Sequence, residues 1–162
     1  MTWPIGEFDD LRRLRVLHEA MPGTVLAETV LPAGFDEVWS VLGDPEQGFP
    51  GLVPDVRSIQ ITARDGERMR AVVRGRSGLR GSFDLILRPG WCLMQSRFVV
   101  FGMAAAPAGD ERDGTRFGYL SGVRAPGMRL VSPLLAPVRQ RFAATVQRRF
   151  EARFTPGRHP GT

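Results

Sequence analysis

The chain has 162 residues, of which 43% are hydrophobic, and a single cysteine. This fits one globular domain and excludes a disordered chain, an internal disulfide and a multi-cysteine zinc site. All 22 basic residues are arginine, with a net charge of +5 and a pI near 11; charge alone suggests nucleic acid, but the arginines are scattered from Arg12 to Arg158 in runs no longer than two, which argues against it.

In chain order, residues 7–20 read as a helix. Phe8, Leu11, Leu14 and Leu17 recur every third residue, with acids in the first turn and arginines after them. Met21-Pro22-Gly23 ends it. Thr24–Leu31 reads as a strand, Pro32-Ala33-Gly34 as a turn, and Phe35–Leu42 as a short helix closed by Asp44-Pro45. The segment 47–54 is rich in breakers yet carries Phe49, Leu52 and Val53, so it is expected to pack over an apolar surface. A run of hairpins follows: strands at Val56–Arg64, Glu67–Arg76 and Ser82–Arg88, turned by Asp65-Gly66, Gly78-Leu79-Arg80-Gly81 and Pro89-Gly90. Trp91–Ala106 reads as one long strand bent at Gly102, and Thr115–Arg124 as the last strand after an acidic turn at 109–114. Pro133 is expected to open a helix running to Phe154, leaving a frayed tail at 155–162.

Side-chain parity separates two sheet faces. Arg68, Arg70, Arg74 and Arg76 share one face of their strand, while Met69, Ala71 and Val73 share the other. Phe83, Leu85 and Leu87 are inward, as are Phe117, Tyr119, Ser121 and Val123. On the long strand Cys92, Met94, Ser96, Phe98 and Val100 are assigned inward. The last helix answers with Leu134, Val138, Phe142, Val146, Phe150 and Phe154, spaced by four. The expected fold is α+β: a curved antiparallel sheet around a long C-terminal helix.

The residues Val30-Leu31-Pro32-Ala33-Gly34-Phe35-Asp36-Glu37-Val38-Trp39-Ser40-Val41-Leu42-Gly43-Asp44 resemble the opening of the START-like helix-grip superfamily, which includes pollen-allergen carriers, polyketide aromatase/cyclases and coenzyme Q-binding proteins. Pro50, Pro54-Asp55-Val56 and Gly114-Thr115-Arg116-Phe117 sit where members carry a proline-rich lead into the second strand and a Gly-Thr opening of a late strand. The resemblance covers residues 24–154 and leaves 1–23 as an N-terminal helical extension. It implies an apolar cavity between sheet and long helix. Small or polar inward residues (Ala71, Gly75, Ser96, Ser121) leave room that is consistent with one.

Tyr119 is the only tyrosine and faces inward, where its hydroxyl could bond a ligand carbonyl or act as a general acid; the plainer reading is a core tyrosine bonded to backbone. Arg97 pairs with Asp84 at the surface if the parity above holds, and points inward to a carboxylate or enolate if it does not. The expected wall of the cavity is Trp39, Phe49, Leu52, Met69, Phe83, Ser96, Phe98, Tyr119, Ser121, Phe142 and Val146, a set equally suited to a plain core. Cys92 reads as a buried structural thiol, His18 as a surface histidine, and Asp9-Asp10 as a helix start. No metal site and no cofactor is expected, and the absence of lysine excludes Schiff-base chemistry.

Three functions fit. The first is binding or carriage of a hydrophobic small molecule: a lipid, an isoprenoid quinone or an aromatic polyketide. The second is cyclisation or dehydration of a polyketide-like substrate in the same cavity. The third is protein interaction through the arginine-studded face. No run approaches the ~20 apolar residues of a membrane span, and the acidic residues 1–7 differ from a secretory signal, so a cytoplasmic location is expected. A homodimer is left open.

Overall fold

The computed structural model describes residues 9–155. Its elements are α1 (Asp10–Ala20), β1 (Thr24–Leu31), α2 (Phe35–Leu42), α3 (Pro45–Leu52), β2 (Val56–Asp65), β3 (Arg68–Gly75), β4 (Arg80–Arg88), β5 (Trp91–Gln95), β6 (Val99–Pro107), β7 (Thr115–Val123) and α4 (Met128–Phe154). The strands form one antiparallel sheet in the order β1-β7-β6-β5-β4-β3-β2. The α+β arrangement is the expected one, a seven-stranded sheet with a long C-terminal helix against its inner face.

α1 starts where Asp9 caps it, its side chain accepting from the Leu11 amide; Glu7 and Phe8, expected in this helix, lie outside the described residues. The helix packs on the sheet's outer face, where Leu11 and Leu14 form a second core with Trp91, Ala104 and Leu120. That face is therefore not wholly wet, as arginine parity had suggested. Two glycines make the contact: a Cβ on Gly118 would stand 2.9 Å from Leu11 Cδ2, and one on Gly102 would stand 3.0 Å from Leu14 Cδ1. Arg88 clamps the helix start, its guanidinium 2.6 Å from Asp10, and Arg116 pairs with Asp9 at 2.9 Å.

Most of the breaker-rich segment 47–54 lies in the helix α3, which begins two residues earlier at Pro45. Pro45 sits in the first turn, where a missing N–H costs nothing, and Asp44 caps it. Phe49 and Leu52 are buried, as the segment's composition required.

The expected single strand from Trp91 to Ala106 is a hairpin instead. Gln95 is the last residue of β5, the chain turns through Ser96-Arg97-Phe98, and β6 begins at Val99. The Ser96 amide bonds the Val99 carbonyl at 2.8 Å, while the Ser96 hydroxyl accepts from the Phe98 and Val99 amides. The turn flips parity. Cys92 and Met94 on β5 face the inner core beside Phe101, Met103 and Ala105 on β6.

α4 also departs from expectation. It opens at Met128, five residues before Pro133, and carries Pro133 and Pro137 inside it. Gly127, with φ 81°, makes the sharp turn that precedes it. The stripe spaced by four splits in two. Val146, Phe150 and Phe154 are buried against the sheet, whereas Leu134 and Val138 are exposed. The first half is held by polar clips at the start of β1: Ser132 Oγ donates to the Pro22 carbonyl at 2.8 Å, and Arg139 donates to the Pro22 and Ser132 carbonyls.

Candidate functional site

The inner core is built around Tyr119, at the middle of β7. Its ring meets Phe101 of β6 edge-on, with centroids 4.9 Å apart, and faces Phe150 of α4 at 6.3 Å. Phe49 of α3 closes on Phe101 at 5.5 Å, and Phe117 stacks on Phe150 at 4.6 Å. β-sheet alternation places Phe117 and Tyr119 on one face, and the β6–β7 register sets Met103 opposite Tyr119. Met69, Leu85 and Met94 continue the buried surface along β3, β4 and β5.

Tyr119 is only 2% exposed, and its hydroxyl has no hydrogen-bond partner. Ser121, two residues along the same face, is close enough to favour the phenolate slightly but makes no well-formed bond to it. Burial dominates and drives the phenol's pKa well above its ordinary value. Cys92, fully buried, is pushed up to about 12 by the same desolvation. An unpaired buried hydroxyl costs roughly 1–3 kcal/mol. Among the described residues this oxygen is one of two buried side-chain polar atoms without a partner; the other, Arg139 Nε, lies outside this core, on a guanidinium whose other nitrogens bond the Pro22 and Ser132 carbonyls.

Of the residues expected to line a cavity, Phe49, Leu52, Met69, Tyr119 and Val146 are buried together in this core, and Trp39, Phe83 and Phe142 pack at its edge. Trp39 stacks parallel to Phe35 with centroids 6.1 Å apart. Ser121 is half-buried on β7. Ser96 and Phe98 are in the β5–β6 turn, outside the core. Arg97 shares that turn, with its guanidinium over the Phe98 ring at 5.3 Å. The expected Arg97–Asp84 pair is replaced by Arg70–Asp84 at 3.6 Å, a surface contact. Phe101 and Met103 were missed because the turn at Ser96 was missed. His18 Nδ1 lies 2.9 Å from Thr24 Oγ1, at the foot of α1.

Around Tyr119 the core side chains pack against one another. Two depressions at the surface are open: one of about 480 Å³ beside Arg57, Arg74 and Arg80, and one of about 510 Å³ between Leu31–Gly34 and Arg112–Gly114. Neither is lined by Tyr119. Among the described residues no group of three His, Cys, Asp or Glu side chains is placed to hold a metal ion.

No family model and no curated protein matches the chain. Solved structures do. A START superfamily protein from Mycobacterium smegmatis superposes with a TM-score of 0.57 at 19% identity, over 82% of this chain and 97% of that one. A Thermus thermophilus protein gives 0.59 at 21% identity, over 81% and 96%. The Zhui aromatase/cyclase of a Streptomyces species gives 0.57 at 15% identity, over 80% and 92%. At these identities the likeness is one of fold, and the fold is START-like, as residues 30–44 implied.

Proposed function

We propose that the protein binds an apolar small molecule bearing an oxygen acceptor (a lipid, an isoprenoid quinone or an aromatic polyketide) between the sheet and α4, with the Tyr119 hydroxyl as its polar anchor. The unpartnered, buried phenol carries this reading. A carbonyl oxygen on an otherwise apolar guest supplies the missing acceptor, and Phe101, Met103, Phe150, Phe49 and Met69 supply the apolar surround. Because the Tyr119 side chain is buried, the guest is admitted by side-chain and helix displacement, the sheltered conformation being the resting one.

The fold likeness to an aromatase/cyclase supports a second reading, in which the same site cyclises or dehydrates a polyketide-like substrate. Binding is the better-supported of the two. Cys92 and Tyr119 are the only buried titratable side chains among the described residues, and both have raised pKa values, so neither supplies a base at neutral pH. Arg97, at the turn, is outside the core. If chemistry occurs, Tyr119 serves as the hydrogen-bond donor to a carbonyl.

Native mass spectrometry of gently purified protein tests the reading, with an apolar adduct as the expected result. Tyr119→Phe is expected to weaken binding of that molecule by about 5- to 100-fold, the equivalent of 1–3 kcal/mol. It should also raise the stability of the empty protein, since an unsatisfied group is removed. A variant that is less stable and binds equally well would make Tyr119 a purely structural residue.

A further inference from the structure

The antiparallel order places the β3–β4 turn, the β5–β6 turn, the end of β7 and the start of α4 at one end of the sheet. The link is direct on one side, where the Arg124 amide bonds the Phe98 carbonyl at 2.6 Å. This rim gathers large apolar side chains in solvent. Leu79 tips the β3–β4 turn at 74% exposure and Phe98 the β5–β6 turn at 55%, with Val99 and Val123 beside it. On α4, Leu130, Leu134 and Val138 are 84%, 79% and 67% exposed. Their spacing by four, with Val131 and Leu135 alongside, makes one contiguous apolar face on the first half of the helix.

The same rim is cationic. Arg80, Arg97, Arg124, Arg129 and Arg141 stand there, and among the described residues none is in an ion pair. The chain from Gly114 to Phe150 contains seven arginines and no Asp or Glu. The opposite end of the sheet is mixed: Asp36 and Glu37 at the start of α2, Asp65 and Glu67 at the β2–β3 turn, and Asp110 and Asp113 before β7 are interleaved with Arg64, Arg68, Arg88, Arg112 and Arg116. At the rim Glu19 is exposed, and Asp55 is occupied by the Ser77 amide and hydroxyl. Positive charge without acidic partners is thus concentrated at the rim.

We propose that this rim docks on the surface of an anionic lipid bilayer. Separate convex tips and a helix face, rather than a groove, suit a deformable apolar phase, and guanidinium groups on flexible stems sit at the depth of lipid phosphates. The concentration of positive charge at this one end orients the approach. Symmetric self-association would bring the Arg129 and Arg141 sets together with no acid in that segment to offset them. The docking is peripheral, since no described helix is long and apolar enough to cross a membrane. It does not depend on the role given to Tyr119.

The test is flotation of the whole protein with phosphatidylcholine vesicles, with and without 30% phosphatidylserine, at low and high salt. Binding is expected to the anionic vesicles, weakened by salt. Arg129→Gln with Arg141→Gln should lower partition about 30-fold at 0.1 M salt. Leu130→Ser with Leu134→Ser should abolish it, with circular dichroism and melting unchanged because both side chains are exposed. Tyr119→Phe should float as the wild type does, so failure of ligand binding and failure of docking are read separately. No flotation of the wild type, flotation unaffected by either pair of substitutions, or a solution oligomer dispersed by the Leu130/Leu134 pair with no vesicle binding would overturn the proposal.

Discussion

Without lysine, and with one cysteine and one tyrosine, the chain has only two side chains that titrate between pH 9 and 12, Cys92 and Tyr119. Both are buried and both have folded pKa values raised by desolvation. A raised pKa contributes stability that is complete below the unfolded value and lost as pH climbs through the folded one. Raising the pH is therefore a clean perturbation of the core. For Cys92, moving from 9.0 unfolded to about 12 folded, the loss at pH 11 is about 3 kcal/mol. Tyr119, 10.0 when unfolded and still protonated in the fold at that pH, adds about 1 kcal/mol. Together they remove about 4 kcal/mol, a large part of an ordinary domain's stability of about 5–15 kcal/mol. Urea unfolding at half-unit steps from pH 8 to 11, with reductant present, measures it. Between pH 10 and 11 the wild type should lose about 2 kcal/mol, Cys92→Ala and Tyr119→Phe about 1 kcal/mol each, and the double variant should be nearly flat. A flat wild-type profile, or an undiminished slope in the double variant, would refute the burial of these two groups.

Other outcomes follow from the packing. Leu14→Ala should cost about 2–5 kcal/mol in urea unfolding, because α1 is part of the folded core rather than an appendage. Asp10→Asn should cost about 1–2 kcal/mol by removing the carboxylate from its 2.6 Å contact with Arg88. The two halves of α4 should respond differently: Phe150→Ala should lower stability by about 3–5 kcal/mol, and Leu134→Ser should change it by less than about 0.5 kcal/mol.

On β7 parity placed Phe117 and Tyr119 correctly in the inner core, whereas Val123, assigned inward by the same parity, is 45% exposed at the strand's end. The β5–β6 turn was not legible. Gln95-Ser96-Arg97-Phe98 holds no glycine, proline, asparagine or aspartate, and Ser96 makes the turn with side-chain bonds that composition does not announce. Missing it carried the parity error to Phe98 and hid Phe101 and Met103. The early start of α4 was hidden for a related reason. Pro133 looked like a helix opening, but a proline in the second turn is accommodated where Ser132 and Arg139 hold the backbone against Pro22. The spacing-by-four stripe was real throughout. Sequence could not say that only its second half meets the sheet, since an exposed stripe for a partner surface and a buried one for a core use the same residues. Gly102 read as a bend; it is instead the place where Leu14 comes down on the sheet.

The central claim is that the Tyr119 hydroxyl is an anchor for an oxygen on an apolar guest. The most direct measurement is a two-by-two comparison of dissociation constants. Wild type and Tyr119→Phe are each titrated with an isoprenoid naphthoquinone and with the corresponding naphthalene lacking both carbonyl oxygens. The account predicts a 5- to 100-fold loss on substitution for the quinone and none for the hydrocarbon. Equal losses for both, or no loss for either, would contradict it.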